Sequence, residues 1–505
     1  MKLKKKKQGS RRQKEQVSPK MQEFLDRERE KNKKNRIKNK PIVFMTYVMV
    51  LTFIAMFSYL IYFMVKDSET VVANTSNKRQ DSFVKFVKRG DIVSSDGEVL
   101  ATTEVDEEGN EIRRYPYEGL FAHTVGYNSY GRAGLELSEN FDLMRSHVNV
   151  MSKVSNDLGD DKNPGDTVVT TLNLKMQQAA AEGLGSAKGA VVALDASTGK
   201  ILVMYSSPTF NPNDIDNVWA SVHSEEGSSS TVLLNRATQG LYAPGSTFKV
   251  ITAMEYIKEH PDYESYTHNC GGSDIFNSVS IRCSNNNAHG ELDLKGSLAR
   301  SCNTSFANIG VNEIDPDKLN SMANSLLYNG KLPYDGDYSK SQFLLTGDSN
   351  PSEIPQTVIG QGDTLVTPLH NALIMQAIAN GGTMMKPMMV ERLENADGAV
   401  LQTNKPKAYG KVLEPDLTQK IIPMLQEVCM SGTASEYMAG KPYSVAGKTG
   451  TAEYDNNGNC NSWFVGFTNV ESPDIVVSVV VEDYTTNQIS GTSVASRVMD
   501  AYYSE

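Results

Sequence analysis

Cysteine is scarce, five in 505 residues, and no two stand in a C-x-x-C pair or near a histidine at zinc-finger spacing, which argues against a structural zinc site. None of the seven histidines lies in H-E-x-x-H, so the ligands of a zinc protease are missing too. Beyond one N-terminal stretch no apolar run approaches the ~18 residues of a membrane span, and no repeat of roughly 20–50 residues is evident, which excludes multi-span transporters and solenoids. Positive charge is confined to one end. Residues 1–40 carry 17 Lys/Arg against 5 Asp/Glu, whereas the whole chain has a formal charge of −10, so the remainder is strongly acidic and a wholly basic nucleic-acid binder is excluded.

What is present is 39% apolar and 22% charged, ordinary for globular protein, in a chain long enough for two or three folded units. Pro41 to Val65 contains no charge over 25 residues and, as a helix, crosses a bilayer core of about 30 Å. A cleaved signal peptide is the rival, with Val71-Val72-Ala73 imitating a cleavage site, but a 40-residue leader fits it poorly. Cationic flanks stay on the cytoplasmic side, so 1–40 reads as a solvated, disordered cytoplasmic tail attracted to anionic lipid, and residues from 66 on as extracytoplasmic. The acidic run ending at Asp161 and the turn Asn163-Pro164-Gly165-Asp166 place a boundary near 165. Four segments result: a tail (1–40), a transmembrane helix (41–65), an N-terminal module rich in strands and turns (66–165) and a large C-terminal domain (166–505).

In that domain Leu172 to Leu184 has helical composition, and Gly189 to Asp195 and Lys200 to Tyr205 form a hairpin across Ser197-Thr198-Gly199. Helical material fills roughly 246–380, and strands return at Ser462 to Phe467 and Ile475 to Val481. A sheet assembled from both ends of a domain with helices between is α+β, an antiparallel sheet flanked by helices.

The chemistry belongs where the helical middle begins. After the break Ala243-Pro244-Gly245, the stretch Ser246 to Lys258 has helical spacing, which sets Ser246 at a helix N-terminus and Lys249 one turn along the same face. Free N–H groups there favour negative charge developing in acyl transfer, and a lysine of lowered pKa serves as base. S-x-x-K also occurs at Ser82–Lys85 and Ser197–Lys200, without a helix start, where a solvated surface pair is the better reading. Lys448 in Gly447-Lys448-Thr449-Gly450-Thr451 supplies a second cation. Gly450 lets a substrate backbone lie against this strand, and the Thr449 and Thr451 hydroxyls suit a carboxylate. A phosphate loop would need glycine where Pro442 stands. Ser301-Cys302-Asn303, a polar triplet between helical stretches, offers a proton relay in Ser301 and an amide partner in Asn303. Ser284-Asn285-Asn286 repeats the pattern in a loop-like setting. Trp463 and Phe464 suit sheet core, His123 and His370 structural roles, and Glu453 a solvated strand end.

Ser246-x-x-Lys249, Ser301-x-Asn303 and Lys448-Thr449-Gly450, in this order, resemble the active-site set of penicillin-binding proteins and serine β-lactamases. Asn235-Arg236-Ala237, Tyr242 to Gly245, Gly360-Gln361-Gly362, Thr367-Pro368, Ala379 to Gly382 and Trp463 to Gly466 are similar to words of the class B members, the monofunctional peptidoglycan D,D-transpeptidases. Upstream, Arg89-Gly90-Asp91-Ile92, Gly97, Leu100-Ala101, His123, Gly126 and Gly131 to Glu136 resemble the family's non-catalytic module. Cys302 is a departure, assumed harmless because Ser301 and Asn303 carry the roles. The resemblance implies that Ser246 attacks the penultimate D-Ala carbonyl of a stem peptide, with Lys249 as base and an oxyanion held by the amides of Ser246 and Thr451. It implies that Lys448 binds the terminal carboxylate and lowers the Lys249 pKa. It implies peptidoglycan stem peptides on lipid-linked glycan strands as substrate, β-lactams as covalent inhibitors, a SEDS-type glycan polymerase as partner, a bacterial membrane location, and no metal, cofactor or nucleic acid. D,D-carboxypeptidase activity and a membrane-anchored β-lactam sensor or non-catalytic scaffold are the alternatives. In the oxidising compartment Cys270 and Cys283 are available to form a disulfide.

Overall fold

The computed structural model describes residues 17–66, 85–159, 161–224, 230–455 and 458–504. They form two contact units, one up to residue 74 and one from residue 75 on.

The first unit is one helix, α1 (Pro19–Lys66), whose apolar part is long enough to cross a membrane. It reaches back through residues 19–40, so this part of the tail is helical rather than disordered as the sequence suggested. Its Lys, Arg, Glu and Gln side chains are good helix formers, Arg27 pairs with Glu23 one turn away (2.9 Å), and extending an existing helix avoids the nucleation cost. Residues 1–16, the Val71-Val72-Ala73 triplet and Ser82 lie outside the described residues.

In the second unit, β1 (Ile92–Val93), β2 (Val99–Val105) and β3 (Glu111–Arg114) form an antiparallel run. Next in the chain come β4 (Thr167–Thr170), α2 (Leu174–Leu184), β5 (Gly189–Asp195) and β6 (Ile201–Ser207). The middle holds α3 (Lys249–Glu259), the short strands β7 (His268–Cys270), β8 (Ser273–Phe276), β9 (Val279–Arg282) and β10 (Gly290–Leu292), then α4 (Leu294–Ala299), α5 (Asn303–Asn308) and α6 (Pro368–Ala379). The chain continues through β11 (Val390–Glu394), β12 (Val400–Thr403), α7 (Pro415–Met430), β13 (Val445–Glu453), β14 (Cys460–Thr468), β15 (Ile475–Val481) and α8 (Gly491–Tyr503).

The main sheet is antiparallel in the order β13-β14-β15-β5-β6, assembled from both ends of its domain. Every residue of β15 is buried, as its run of six β-branched apolar residues around Ser478 requires of a strand covered on both faces. The α2–α8 pair packs on one face and α6, buried along all its length, on the other. A six-stranded sheet, β12-β11-β4-β1-β2-β3, combines strands from either side of residue 165. The middle is less helical than its composition suggested: β7 with β10, and β8 with β9, make two small antiparallel pairs between α3 and α4. Asn285 there has φ 54°, so Ser284–Asn286 is a tight loop.

Candidate active site

Ser246 lies in a 3₁₀ turn, Gly245–Thr247, that leads into α3. It is half-buried, and among the described residues its hydroxyl makes no hydrogen bond. Gly245 takes φ +53°, the left-handed region that costs other residues about 1–2 kcal/mol, and a Cβ there would stand 2.5 Å from the Thr451 carbonyl oxygen. Glycine thus lets the turn press against β13.

β13 is an edge strand, paired only with β14 in the main sheet. A Cβ on Gly450 would meet the Pro244 carbonyl at 3.0 Å and Thr247 Cγ2 at 3.1 Å. The space that sequence reasoning reserved for substrate beside Gly450 is therefore taken by the protein's own turn. Strand alternation puts Lys448 and Gly450 on one side and Thr449 and Thr451 on the other. Thr451 is exposed, and Thr449 shares a 2.6 Å hydrogen bond with the Thr433 hydroxyl. Thr433, just past α7, was not singled out in the sequence, because no spacing ties it to the strand motif. Gly447 and Lys448 sit inside a strand, not at a loop before a helix, which disposes of the phosphate-loop reading.

Three separate segments converge at Ser301. Lys249 Nζ donates to the Ser301 carbonyl (2.8 Å), to Ser301 Oγ (3.4 Å) and to Asn303 Oδ1 (2.5 Å). Lys448 Nζ donates to Ser301 Oγ (2.9 Å) and to the Thr449 carbonyl (3.0 Å). Ser301 holds φ 53°, an uncommon conformation for serine, in the turn between α4 and α5. Asn303 donates from Nδ2 to the Arg282 carbonyl on β9 (2.6 Å), and Phe306 presents its ring to Lys249 Nζ at 5.6 Å.

Both lysines are fully buried. Burial lowers the Lys249 pKa to about 7, against an opposing pull from Cys302 and Cys283. Burial also lowers Lys448 well below the ordinary lysine value, and repulsion from Lys249 adds to it. The resemblance implied that Lys448 lowers Lys249; burial is what lowers Lys249, and the repulsion between the two amines acts on Lys448. Because the two amines address one hydroxyl, a proton on one disfavours a proton on the other.

The structure brings together Lys249, Ser301, Asn303 and Lys448 by hydrogen bonds, and packs the Ser246 turn against Gly450 and Thr451. No bond joins Lys249 to Ser246 among the described residues. The rival Ser197 closes a hairpin turn, its hydroxyl donating to Asp195 (2.9 Å). Trp463 and Phe464 are buried in the sheet, Glu453 is exposed at a strand end, and His370 is held between Ser341 Oγ and the Leu326 carbonyl (2.7 Å each). His123 likewise binds the Val232 carbonyl (2.8 Å).

Comparison with known proteins matches residues 189–502 to the penicillin binding protein transpeptidase domain and 89–168 to the penicillin binding protein A dimerisation domain. The peptidoglycan D,D-transpeptidase PbpA of Mycolicibacterium smegmatis is 29% identical over 437 residues, 78% of this chain and 84% of that protein. The Mycobacterium tuberculosis protein of the same name is 30% identical, with the same shares covered. Among solved structures, the D,D-transpeptidase domain of a peptidoglycan glycosyltransferase from Eggerthella lenta superposes with a TM-score of 0.73 at 31% identity, covering 82% of this chain and 97% of that one. The imipenem acyl-enzyme of penicillin-binding protein A from M. tuberculosis superposes with a TM-score of 0.75 at 26% identity, covering 84% and 100%.

Proposed function

The chain belongs to the class B penicillin-binding proteins, and from that membership we propose how its residues divide the work. It is a serine-type peptidoglycan D,D-transpeptidase of cell-wall synthesis, and β-lactams bind it covalently.

Ser246 Oγ attacks the carbonyl of the penultimate D-Ala of a donor stem peptide. An ester forms, the amide C–N bond breaks, and terminal D-Ala leaves with a proton. An amine of a neighbouring stem then attacks the ester, forming the cross-link and returning a proton to Ser246. Lys249 in its neutral form accepts the first proton, and Ser301, hydrogen-bonded to both lysines, relays it to the leaving amine. Lys448, buried behind β13, acts through Ser301, and the terminal carboxylate falls to the hydroxyls of Thr449 and Thr451. Gly450 keeps strand and turn in contact, and Asn303 steadies Lys249 and a substrate amide. The amides of Ser246 and Thr451 hold the oxyanion. In an extended strand a residue's N–H and C=O point to the same edge, and the Thr451 carbonyl faces the Ser246 turn. The observation that carries this reading is the convergence of the Lys249 and Lys448 Nζ atoms on the Ser301 hydroxyl.

The test is acylation of the full-length chain in detergent by a fluorescent penicillin, wild type against Ser246→Ala. Label on the wild type and none on the variant is expected; label retained on alanine removes Ser246 from the role. Donor stem peptide with an amine acceptor then yields cross-linked product, whereas hydrolysis alone makes the chain a carboxypeptidase.

The reading extends to location. α1 spans the membrane with its cationic end in the cytoplasm and the catalytic unit outside, and a SEDS-type glycan polymerase is the partner. Co-purification of that polymerase with the full-length chain, lost when α1 is exchanged for an unrelated span, is the expected outcome.

A further inference from the structure

Of the features read in the sequence, two stay outside the acyl transfer. Cys270 and Cys283 form no disulfide: their sulfurs stand 3.6 Å apart, where such a bond holds them at about 2.05 Å. The other is the word Gly360-Gln361-Gly362, to which the reaction gives no work.

The segment from Gly360 to Val366 runs beside Tyr242 to Gly245. Tyr242 N–H donates to the Val366 carbonyl (3.1 Å), Val366 N–H donates back to the Tyr242 carbonyl (2.8 Å), and Gly245 N–H donates to the Gly360 carbonyl (2.8 Å). Gly360 takes φ +83°, and a Cβ there would stand 2.0 Å from the Gly245 carbonyl oxygen, so glycine lets this loop lie flat on the Ser246 turn. The loop is itself anchored. Gln361 N–H donates to the Gln356 carbonyl (3.0 Å), and the Val358 carbonyl accepts from the Thr252 hydroxyl on α3 (2.7 Å), the helix that carries Lys249.

The side chain of Gln361 reaches the opposite wall. Half-buried, its amide meets the end of β13: the nitrogen donates to the Glu453 carbonyl and the oxygen accepts from the Glu453 N–H, 3.2 Å each, the orientation that pairs donor with acceptor at both atoms. A residue of a neighbouring strand would offer the same two bonds. β13 is an edge strand, and alternation turns the N–H and C=O of Thr449, Thr451 and Glu453 to its open edge. There the Thr449 carbonyl accepts from Lys448 Nζ, the Thr451 carbonyl lies against the Gly245 turn, and Gln361 takes both groups of Glu453. This leaves the Thr451 N–H on that edge for the oxyanion.

We propose that Gln361 is a positioning residue that closes the edge of β13 past Thr451 and, with Gly360, sets the separation of the Ser246 and Thr451 amides. One short loop grips both walls of the site, through Gly360 the turn that carries the nucleophile and through Gln361 the strand that carries the second oxyanion donor. The role rests on the assignment of the oxyanion to those two amides.

The test compares the full-length wild type in detergent with two variants. Gln361→Met keeps the side-chain length and removes both amide bonds, and Gln361→Asn keeps the amide one methylene short of Glu453. Stopped-flow acylation over a range of fluorescent penicillin concentrations separates the noncovalent dissociation constant from the acylation rate constant. Removing an oxyanion donor outright costs about 10²–10³ in rate, so a displaced one is expected to cost at least tenfold in the acylation rate constant of both variants. The dissociation constant is expected to change less than threefold, because the oxyanion forms only in the transition state. Glu453 is exposed, so water replaces the lost partners and the melting temperature is expected to stay close to wild type. A loss confined to the dissociation constant, or a smaller active fraction that reacts at the wild-type rate constant, overturns the positioning role. Hydrogen exchange decides the edge without reference to Ser246: the Glu453 amide is expected to exchange at least tenfold faster in Gln361→Met than in the wild type, and equal exchange overturns the closure. Label retained on Ser246→Ala would remove the oxyanion role, while the exchange result still decides whether Gln361 closes the edge.

Discussion

A lysine can serve as base only while neutral, and at Lys249 the low-dielectric surroundings remove the proton at about pH 7. Acylation by a labelled penicillin is therefore expected to rise about tenfold from pH 6 to pH 8 and to level off above, because the neutral fraction grows as pH climbs through the lowered pKa. A flat second-order rate constant across that range removes Lys249 from the role. Lys249→Arg keeps a cation in place but cannot deprotonate, so acylation is expected to fall at least 10²-fold at every pH, which the same assay measures. At this scale the sequence was informative. Ser246, Lys249, Ser301, Asn303 and Lys448 were legible because each sits in a short motif whose spacing fixes its local geometry. Thr433 and Phe306 were not, since they reach the site only through tertiary contact.

Elements matter here through close approach. Gly245→Ala would place a methyl 2.5 Å from the Thr451 carbonyl in a left-handed turn, so β13 and the Ser246 turn must separate. A loss of at least tenfold in acylation, with far-ultraviolet circular dichroism unchanged, is expected; wild-type acylation would show that this contact does not set the site. In the N-terminal module, Arg89 Nε (2.6 Å) and Arg113 Nε (2.7 Å) both donate to the fully buried Glu136 carboxylate, joining two words that were legible separately but whose pairing was not. Burial alone would raise the Glu136 pKa, but Arg113 and Arg89 outweigh it and hold the carboxyl below its ordinary value. Glu136→Gln leaves two buried guanidinium groups without a carboxylate and is expected to cost about 3–5 kcal/mol in denaturant unfolding at pH 7. A carboxyl with a depressed folded-state pKa stabilises above its unfolded value and loses that contribution as pH falls through the folded one. The gap between wild type and variant should accordingly narrow below pH 4.5, the ordinary value for this group. A gap that does not change with pH would assign the loss to packing rather than charge. The strands β14 and β15 were readable from their apolar runs, whereas β7–β10 were hidden because four strands of three or four residues leave too few positions for a period to show.

For the whole molecule the proposed topology, a span by α1 with the catalytic unit outside, carries its own test. The cationic excess of residues 1–40 opposes their transfer, and transpeptidation needs the catalytic unit where peptidoglycan is built. α1 is continuous from Pro19 through the apolar stretch to Lys66, so residues 19–40 extend the apolar segment as a helix of about 33 Å, the rise of 22 residues. Pro41, at the junction, lacks the N–H of an intrahelical bond, yet the helix runs through it. A protease added to spheroplasts bearing the full-length chain with an N-terminal tag is expected to remove the catalytic unit and to leave a tagged fragment that contains α1. Permeabilised cells should lose the tag as well. A protected catalytic unit with a digested tag would invert the orientation, and a catalytic unit released to the supernatant without protease would mean that the apolar stretch is cut rather than kept. Replacing the Lys and Arg residues of 20–40 by Gln weakens the charge asymmetry while preserving helix propensity, so a mixed orientation is expected in the same assay. If orientation stays uniform after that replacement, something other than the cationic flank sets the topology.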